Sequence, residues 1–276
     1  MDELQGWIGR VRTQEDEITR PALRRIAALL DIAAPEFPTG SLIPPHWYAM
    51  FFPEIAPQSQ LGPDGHPRRG DFLPPVALPR RMFAGRRVRF SGGLRVGDVA
   101  EKQSEIVAIT PKTGRSGAMV FVTVRHSISV AGREALVEEQ DVVYRAAATP
   151  GAAAAGPTPV PEGGVWAETV TPDPTLLFRY SSVTYNTHRI HYDADYVRAE
   201  EGYPGLVMNG GLTALLLVEA AIRHYGRVPS GLEIRNISPL FVGQPVVLAG
   251  QARAAEGAAI WAANVAGALA VSARFI

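Results

Sequence analysis

Gly211-Leu212-Thr213-Ala214-Leu215-Leu216-Leu217-Val218-Glu219-Ala220-Ala221-Ile222-Arg223-His224-Tyr225 decides how the rest of the chain is read. Wound as a helix, it is apolar nearly all round, with Leu212, Leu215, Leu216, Leu217, Val218 and Ile222 spread over its circumference. Such a helix needs cover on every side. The run from Leu212 to Ile222 contains Glu219 and is too short to span a bilayer, so the cover must be protein. Strand-like segments follow at Leu232–Ile237, Val246–Ala252, Ala259–Val265 and Leu269–Phe275. One buried helix held in a curved antiparallel sheet is the expected plan of this half.

The first half repeats that plan more faintly. Thr19 before Arg20-Pro21 is a helix start, and Leu23, Ile26, Ala27 and Leu30 recur at helical spacing up to Asp31. Pro38 to Pro45 reads as loop and His46 to Phe52 as an aromatic turn or short helix. Residues 57–81 are dense in Pro, Gly and Arg, and the apolar residues flanking them predict an ordered surface loop. From Arg86 the period becomes two. Val88 and Phe90, then Val120, Val122 and Val124, then Val137 to Tyr144 predict three or four antiparallel strands, with a turn over Pro111–Gly117. Ala146 to Gly164 is an Ala/Pro/Gly tract of linker composition. The expected domains are 1–147 and 165–276, joined by 148–164.

Composition removes several classes of function. The 27 basic and 27 acidic residues cancel, which argues against nucleic-acid binding through bulk charge. With no cysteine there is no disulfide framework, thiolate metal site or Cys nucleophile. The acidic, polar start (Asp2, Glu3, Gln5) is unlike a signal peptide, so the expectation is a cytoplasmic protein without a membrane partner. Walker loops, G-x-S-x-G elbows and G-x-G-x-x-G turns are absent.

Chemistry concentrates in Tyr185-Asn186-Thr187-His188-Arg189-Ile190-His191-Tyr192-Asp193 and in Asn209-Gly210-Gly211 at the helix start. Imidazole both accepts and donates protons near neutral pH, which makes His191 the first candidate for acid–base work. A structural histidine capping a turn is the plainer reading. Asn186 does not ionise, but its amide can hold a water against His191; otherwise it is a turn residue. His188 is a second proton-transfer group or, preferably, a scaffold for the loop. As metal ligands, His188, His191 and Asp193 lack a convincing partner, so no metal is expected. The backbone N–H groups at Asn209, Gly210 and Gly211 are free at a helix start, where the macrodipole also favours a developing oxyanion. Arg68, Arg69, Arg80, Arg81, Lys112 and Arg115 are candidates to meet phosphates, and Arg189 to meet a substrate carboxylate or to brace Asp193 or Asp195.

These residues resemble the MaoC-like and hydratase-2 superfamily, whose signature G-D-x-N-P-x-H-x-D lies beside the central helix of a hotdog fold. Asn186 falls on the Asp position, His188 on the Asn, Arg189 on the Pro, and His191-Tyr192-Asp193 on H-x-D. The segment Asn186 to Asp193 is similar to N-x-H-R-I-H-Y-D of the type-2 hydroxyacyl-thioester dehydratases and the mesaconyl-C4-CoA and itaconyl-CoA hydratases. Leu61 to Gly70, Phe72-Leu73-Pro74-Pro75, Pro79 to Gly85, Lys112 to Gly117, and Glu138 to Asp141 with Tyr144-Arg145 fit the same branch. Relatives often have His-Gly-Pro where this chain has Asn209-Gly210-Gly211, which keeps the backbone donors but loses the His side chain.

The resemblance implies an α+β double hotdog, two curved antiparallel sheets each wrapping a central helix, with one site per chain at the junction between the halves. It implies a hydro-lyase of the enoyl-CoA hydratase kind acting on an acyl thioester, with coenzyme A entering only as part of the substrate and no separate cofactor. A homodimer is compatible with it. The alternatives are a dehydratase acting on acyl-carrier-protein thioesters, or a non-catalytic thioester binder or thioesterase on the same fold; a thioesterase needs Asp193 or Glu219 to face the pocket.

Overall fold

The computed structural model describes residues 2–33, 35–114, 117–146 and 156–276. Its first half comprises α1 (Asp2–Gln5), β1 (Val11–Glu17), α2 (Arg20–Leu29), β2 (Arg80–Phe90), β3 (Val99–Gly114), β4 (Gly117–Val130) and β5 (Arg133–Arg145). The second comprises β6 (Gly164–Val170), α3 (Pro174–Thr184), α4 (Ala194–Ala199), α5 (Gly210–Tyr225), β7 (Gly231–Asn236), β8 (Val246–Gln251), β9 (Ala258–Asn264) and β10 (Leu269–Phe275).

The strands form one antiparallel sheet in the order β1-β3-β4-β5-β2-β7-β10-β9-β8-β6. Followed inward from either edge, this order is the first, third, fourth, fifth and second strand of a half. Each half therefore has the same topology, with α2 in the first half and α3 to α5 in the second inserted between its first and second strands. The two expected sheets meet as one surface, because β2 and β7 pair across the junction (Arg87 with Glu233, Val88 with Leu232) and satisfy each other's edge.

Helix α5 is the buried helix its composition predicts. Leu212 and Leu217 are fully buried, each contributing roughly 1.5–3 kcal/mol, and Gly226 in the left-handed region ends the helix. Thr19 caps α2, its hydroxyl accepting from the Ala22 N–H, and the buried face is Leu23, Ile26, Ala27 and Leu29. Both helices share one apolar cluster with Val88, Leu232 and Ile234 of the joining strands, so the core runs through the junction.

Several elements differ from the sequence reading. In the stretch up to Thr184, for which the sequence reading named no helix, α3 forms. Asp173 accepts from the Leu176 N–H at 2.7 Å, Pro174 occupies the first turn, and Leu177, Tyr180 and Ser181 are buried. The first half holds five strands because β1 (Val-Arg-Thr-Gln-Glu-Asp-Glu) is held by backbone pairing to β3, with alternate residues exposed. The 57–81 segment is ordered but does not simply cover a surface. It leans on the second half, with the Arg189 N–H donating to the Asp64 carbonyl at 2.9 Å and the Thr187 hydroxyl to Gly65. Gly65 is required there: its φ is +87°, and a Cβ would lie 2.0 Å from the Thr187 carbonyl oxygen. Of the linker, 148–155 lies outside the described residues. Thr158 and Pro159 lie against the second half, pairing with Leu269 and Ala268.

Candidate active site

A cavity of about 1600 Å³ opens at the junction. Its walls are β2, the 62–69 and 186–191 loops, and the start of α5. Asn186, His188, His191, Asn209, Gly210 and Gly211 all line it, so the two polar stretches meet there.

The 186–191 loop is built by local hydrogen bonds. Tyr185 ends α3 in the left-handed region (φ 53°), and the Asn186 N–H returns to the Ser181 carbonyl at 2.8 Å. The Asn186 side-chain oxygen accepts from the His188 N–H at 3.0 Å, the turn role expected of such a residue, which leaves its NH₂ for the cavity. A 3-10 turn over Arg189–His191 then brings His191 inward.

His191 is buried, with its Nδ1 2.7 Å from the Val207 carbonyl oxygen. A carbonyl only accepts, so this bond assigns the proton to Nδ1 and leaves a lone pair on Nε2. Burial pushes the pKa of His191 down to about 4 against the opposing effect of the Val207 bond, so the ring is neutral at pH 7. Burial, and the cost of gathering positive charge beside the His66 and His191 imidazoles, also drive His188 far down, keeping it neutral. Among the described residues no hydrogen bond is made by the His188 ring, which instead packs between two others. The His66 ring lies at 4.1 Å between centroids and the His191 ring at 5.6 Å.

Asp64 and His66 come from the first half, and the sequence reading gave them no role. Asp64 Oδ2 lies 3.1 Å from His66 Nδ1, and Asp64 Oδ1 accepts from the His66 N–H at 3.0 Å. Burial opposes ionisation of Asp64, but the bonds and charge of His66, with Arg81, overcome it and hold the carboxyl well below its usual range. Burial lowers His66 while Asp64 opposes the shift. One donor atom from each of Asp64, His66 and His188 falls within 4.8 Å of the others. Asp64 and His66 are already committed to each other by hydrogen bonds, so the trio reads as a hydrogen-bonded pair beside a third ring. The metal set weighed from sequence is not assembled, since Asp193 turns away to Arg189.

At the other wall, α5 begins without a side-chain cap bond. The N–H groups of its first turn have no intrahelical acceptors and lie at the positive end of the macrodipole. Asn209 is almost fully buried; its NH₂ donates to Ser181 Oγ at 3.3 Å, and its Oδ1 has no partner within the described protein. Tyr180, also missed from sequence, presses its hydroxyl against Gly211, where a Cβ would lie 2.2 Å from Oη.

The basic residues divide. Arg68, Arg81 and Lys112 line the cavity, and none of them is drawn into an ion pair with a described carboxylate. Arg81 lies close enough to Asp64, His66 and His188 for its charge to act on all three. Arg80 lines the cavity but sits 3.4 Å from Glu201 and also binds Tyr203. Arg69 gives its guanidinium to the carbonyls of Val76, Leu78 and Pro79, which makes it a brace for its own loop. Arg189 likewise braces: it bonds Asp193 at 3.0 and 2.7 Å and the Pro63 carbonyl at 2.9 Å, and it does not line the cavity. Of its two sequence readings, the brace to Asp193 is the one the geometry adopts. Arg115 lies outside the described residues.

The likeness to solved structures defines the class first. A MaoC-like dehydratase of Phytophthora capsici superimposes with a TM-score of 0.71 at 12% identity, covering 100% of this chain and 96% of that one. A Mycobacterium tuberculosis protein described as having a double hotdog fold matches at TM-score 0.60 and 17% identity, over 97% of this chain and 95% of its own. The fold is a double hotdog. Residues 46–242 match the hydroxyacyl-thioester dehydratase type 2 family, and the chain belongs to that family. The mesaconyl-C(4)-CoA hydratase of Chloroflexus aurantiacus is 47% identical over 242 residues, 87% of this chain and 85% of the relative.

Proposed function

We propose that this protein is a hydro-lyase of the enoyl-CoA hydratase kind, adding water to, or removing it from, the α,β double bond of an acyl thioester. One observation carries the reading. A neutral histidine with an open Nε2 lone pair and the uncapped start of a buried helix face the same cavity. The thioester oxygen meets the N–H groups near Gly210 and Gly211, where enolate charge developing in the transition state is stabilised. Water is held by His191 Nε2, with the Asn186 NH₂ donating to its oxygen. Arg68, Arg81 and Lys112 are the cations best placed for the phosphates of coenzyme A, which needs no further cofactor in this chemistry.

The identity to the Chloroflexus hydratase supports a branched dicarboxylic acyl group such as mesaconyl. In this reading residues 1–147 form the acyl- and CoA-binding half, residues 165–276 carry the catalytic loop, and 148–164 link them. No described helix is long and apolar enough to cross a membrane. Our reading remains a cytoplasmic enzyme without a nucleic-acid partner, in which two copies can form a homodimer. Neither carboxylate that a thioesterase reading requires lines the cavity: Asp193 caps α4 and pairs with Arg189, and Glu219 is bound to His46 and Trp47.

The test follows the conjugated enoyl-thioester absorbance of mesaconyl-C4-CoA and crotonyl-CoA, with thiol release measured in parallel. Loss of the band without free thiol is expected. Thiol release would replace the assignment with a thioesterase. Inertness toward CoA esters, with turnover of the carrier-protein thioester, would move it to the carrier-protein dehydratase.

A further inference from the structure

We propose that His66, held by Asp64, is a second catalytic residue of this site and carries the proton between water and the α-carbon. The inference rests on the hydro-lyase reading above and adds a residue from the opposite half of the chain.

The sequence leaves a chemical vacancy. The superfamily pattern has an ionisable Asp where this chain has Asn186, and an amide cannot take a proton from water. The Asn186 oxygen is moreover engaged by the His188 N–H. His191 alone is a poor proton acceptor. Nothing but a backbone carbonyl stands behind its Nδ1, and an imidazolium formed there would be buried without a counter-charge.

The Asp64–His66 pair has what His191 lacks. A carboxylate beside Nδ1 fixes the neutral tautomer, so the Nε2 lone pair is the free one, and it stabilises the imidazolium that forms on proton uptake. The His66 side chain is 23% exposed and lines the cavity, and among the described residues its ring is hydrogen-bonded through Nδ1 to Asp64 while Nε2 is left open. The loop is anchored to the catalytic loop itself, through Asp64 to the Arg189 N–H and Gly65 to Thr187, so His66 keeps its place relative to His191. His188 packs against both rings and stays neutral.

In the addition direction, one water donates a hydrogen to each of His191 Nε2 and His66 Nε2. The O–H bond toward His66 breaks as the oxygen bonds to the β-carbon. The π pair of the double bond moves onto the thioester as an enolate, held at the start of α5. The enolate then takes the proton from His66 at the α-carbon, which restores the neutral imidazole and the carbonyl. One H and one OH are added, and no other reactant is consumed. Asp64 is a positioning residue, since it acts only through His66.

The experiment uses the full-length enzyme with the enoyl-CoA that the wild type hydrates. His66→Asn is expected to lower kcat about 10²–10⁴-fold, with KM changed less than about threefold. Asp64→Asn removes the charge but keeps the shape. It is expected to lower kcat at least about tenfold and to move the acid limb of the kcat/KM profile to lower pH, because the carboxylate raises the basicity of His66. A structural role for Asp64 would leave that limb where it is. Near-wild-type kcat in His66→Asn, an unmoved acid limb in Asp64→Asn, or activity lost on chelation and restored by zinc would each overturn the proposal. A wild-type enzyme inert to every enoyl thioester would instead overturn the hydro-lyase reading on which it stands.

Discussion

Gly211→Ala tests the helix start at one methyl group's resolution. A Cβ at that position would lie 2.2 Å from the Tyr180 hydroxyl oxygen, a distance at which one partner must move, while the next contacts are Tyr180 carbons at 3.2 and 3.6 Å. Tyr180 is buried, so the strain falls on the helix start and on the N–H groups proposed to hold the thioester oxygen. Overpacking of this kind costs about 1–3 kcal/mol, partly offset by the roughly 0.4–1 kcal/mol that Gly→Ala returns through the unfolded chain. Misplacing one oxyanion donor costs about 2.7–4 kcal/mol of transition-state stabilisation, or roughly 10²–10³ in kcat. Gly211→Ala should therefore unfold at lower urea and lose about two orders of magnitude in kcat. Removing the clashing oxygen supplies the control. In Gly211→Ala/Tyr180→Phe the closest remaining contact relaxes with a small ring shift, and both stability and turnover should recover toward those of Tyr180→Phe alone. A single Gly211→Ala variant as stable and active as wild type, or a double variant no better than the single, would refute the reasoning.

His191→Ala should lose essentially all turnover while keeping the wild-type circular dichroism spectrum; near-normal activity would remove His191 from the mechanism. His126, half-buried on β4 between Ser104 of β3 and Gln140 of β5, has a pKa pushed down to about 4 mainly by desolvation, as does His191. Because the unfolded state binds these protons first, stability is complete above about pH 6.5 and declines as pH falls from there to about 4. Urea midpoints should follow that decline, and His126→Gln, which lies outside the cavity, should flatten it with turnover unchanged. Arg189→Ala should lower kcat/KM by the same factor for crotonyl-CoA and mesaconyl-C4-CoA, as expected of a brace. A loss confined to the dicarboxylic substrate would make it a carboxylate clamp.

The second half was legible because its signals are local. Apolar residues surrounding Leu212 to Ile222 demand burial, and alternating strands follow at intervals that leave room only for turns. The strand β1 was not legible, since Val11 to Glu17 carries no apolar alternation and owes its form to a partner about ninety residues away. The helix α3 was missed although Asp173-Pro174 is a start signal, because Thr175, Val183 and Thr184 are β-branched and weaken the helical pattern. The split among the candidate sites follows the same line. His191, His188, Asn186 and Asn209-Gly210-Gly211 stand in a motif, and they converge on the cavity. The roles of Arg69 and Arg189 were ambiguous because an arginine's partner is set by tertiary structure; here carbonyls and Asp193 claim them. His66 reaches the site only through the packing of one half's loop on the other. Its trace in the sequence was an acid and a histidine two residues apart in a Gly/Pro-rich run, a pattern common in ordinary turns.

The mirrored strand order, joined at β2 and β7, places each half where an identical copy would otherwise stand. In a pair of identical copies any change would appear twice, and a loop improved as a wall for one site would also have to serve as the floor of the other. Covalent fusion lifts that constraint. The first half is free to give up a centre of its own, lengthen the segment between α2 and β2, and commit it to its neighbour, while the second keeps the short loop and the helix start. Division of labour between two halves of the same topology gives a large cavity whose walls belong to different ends of one chain.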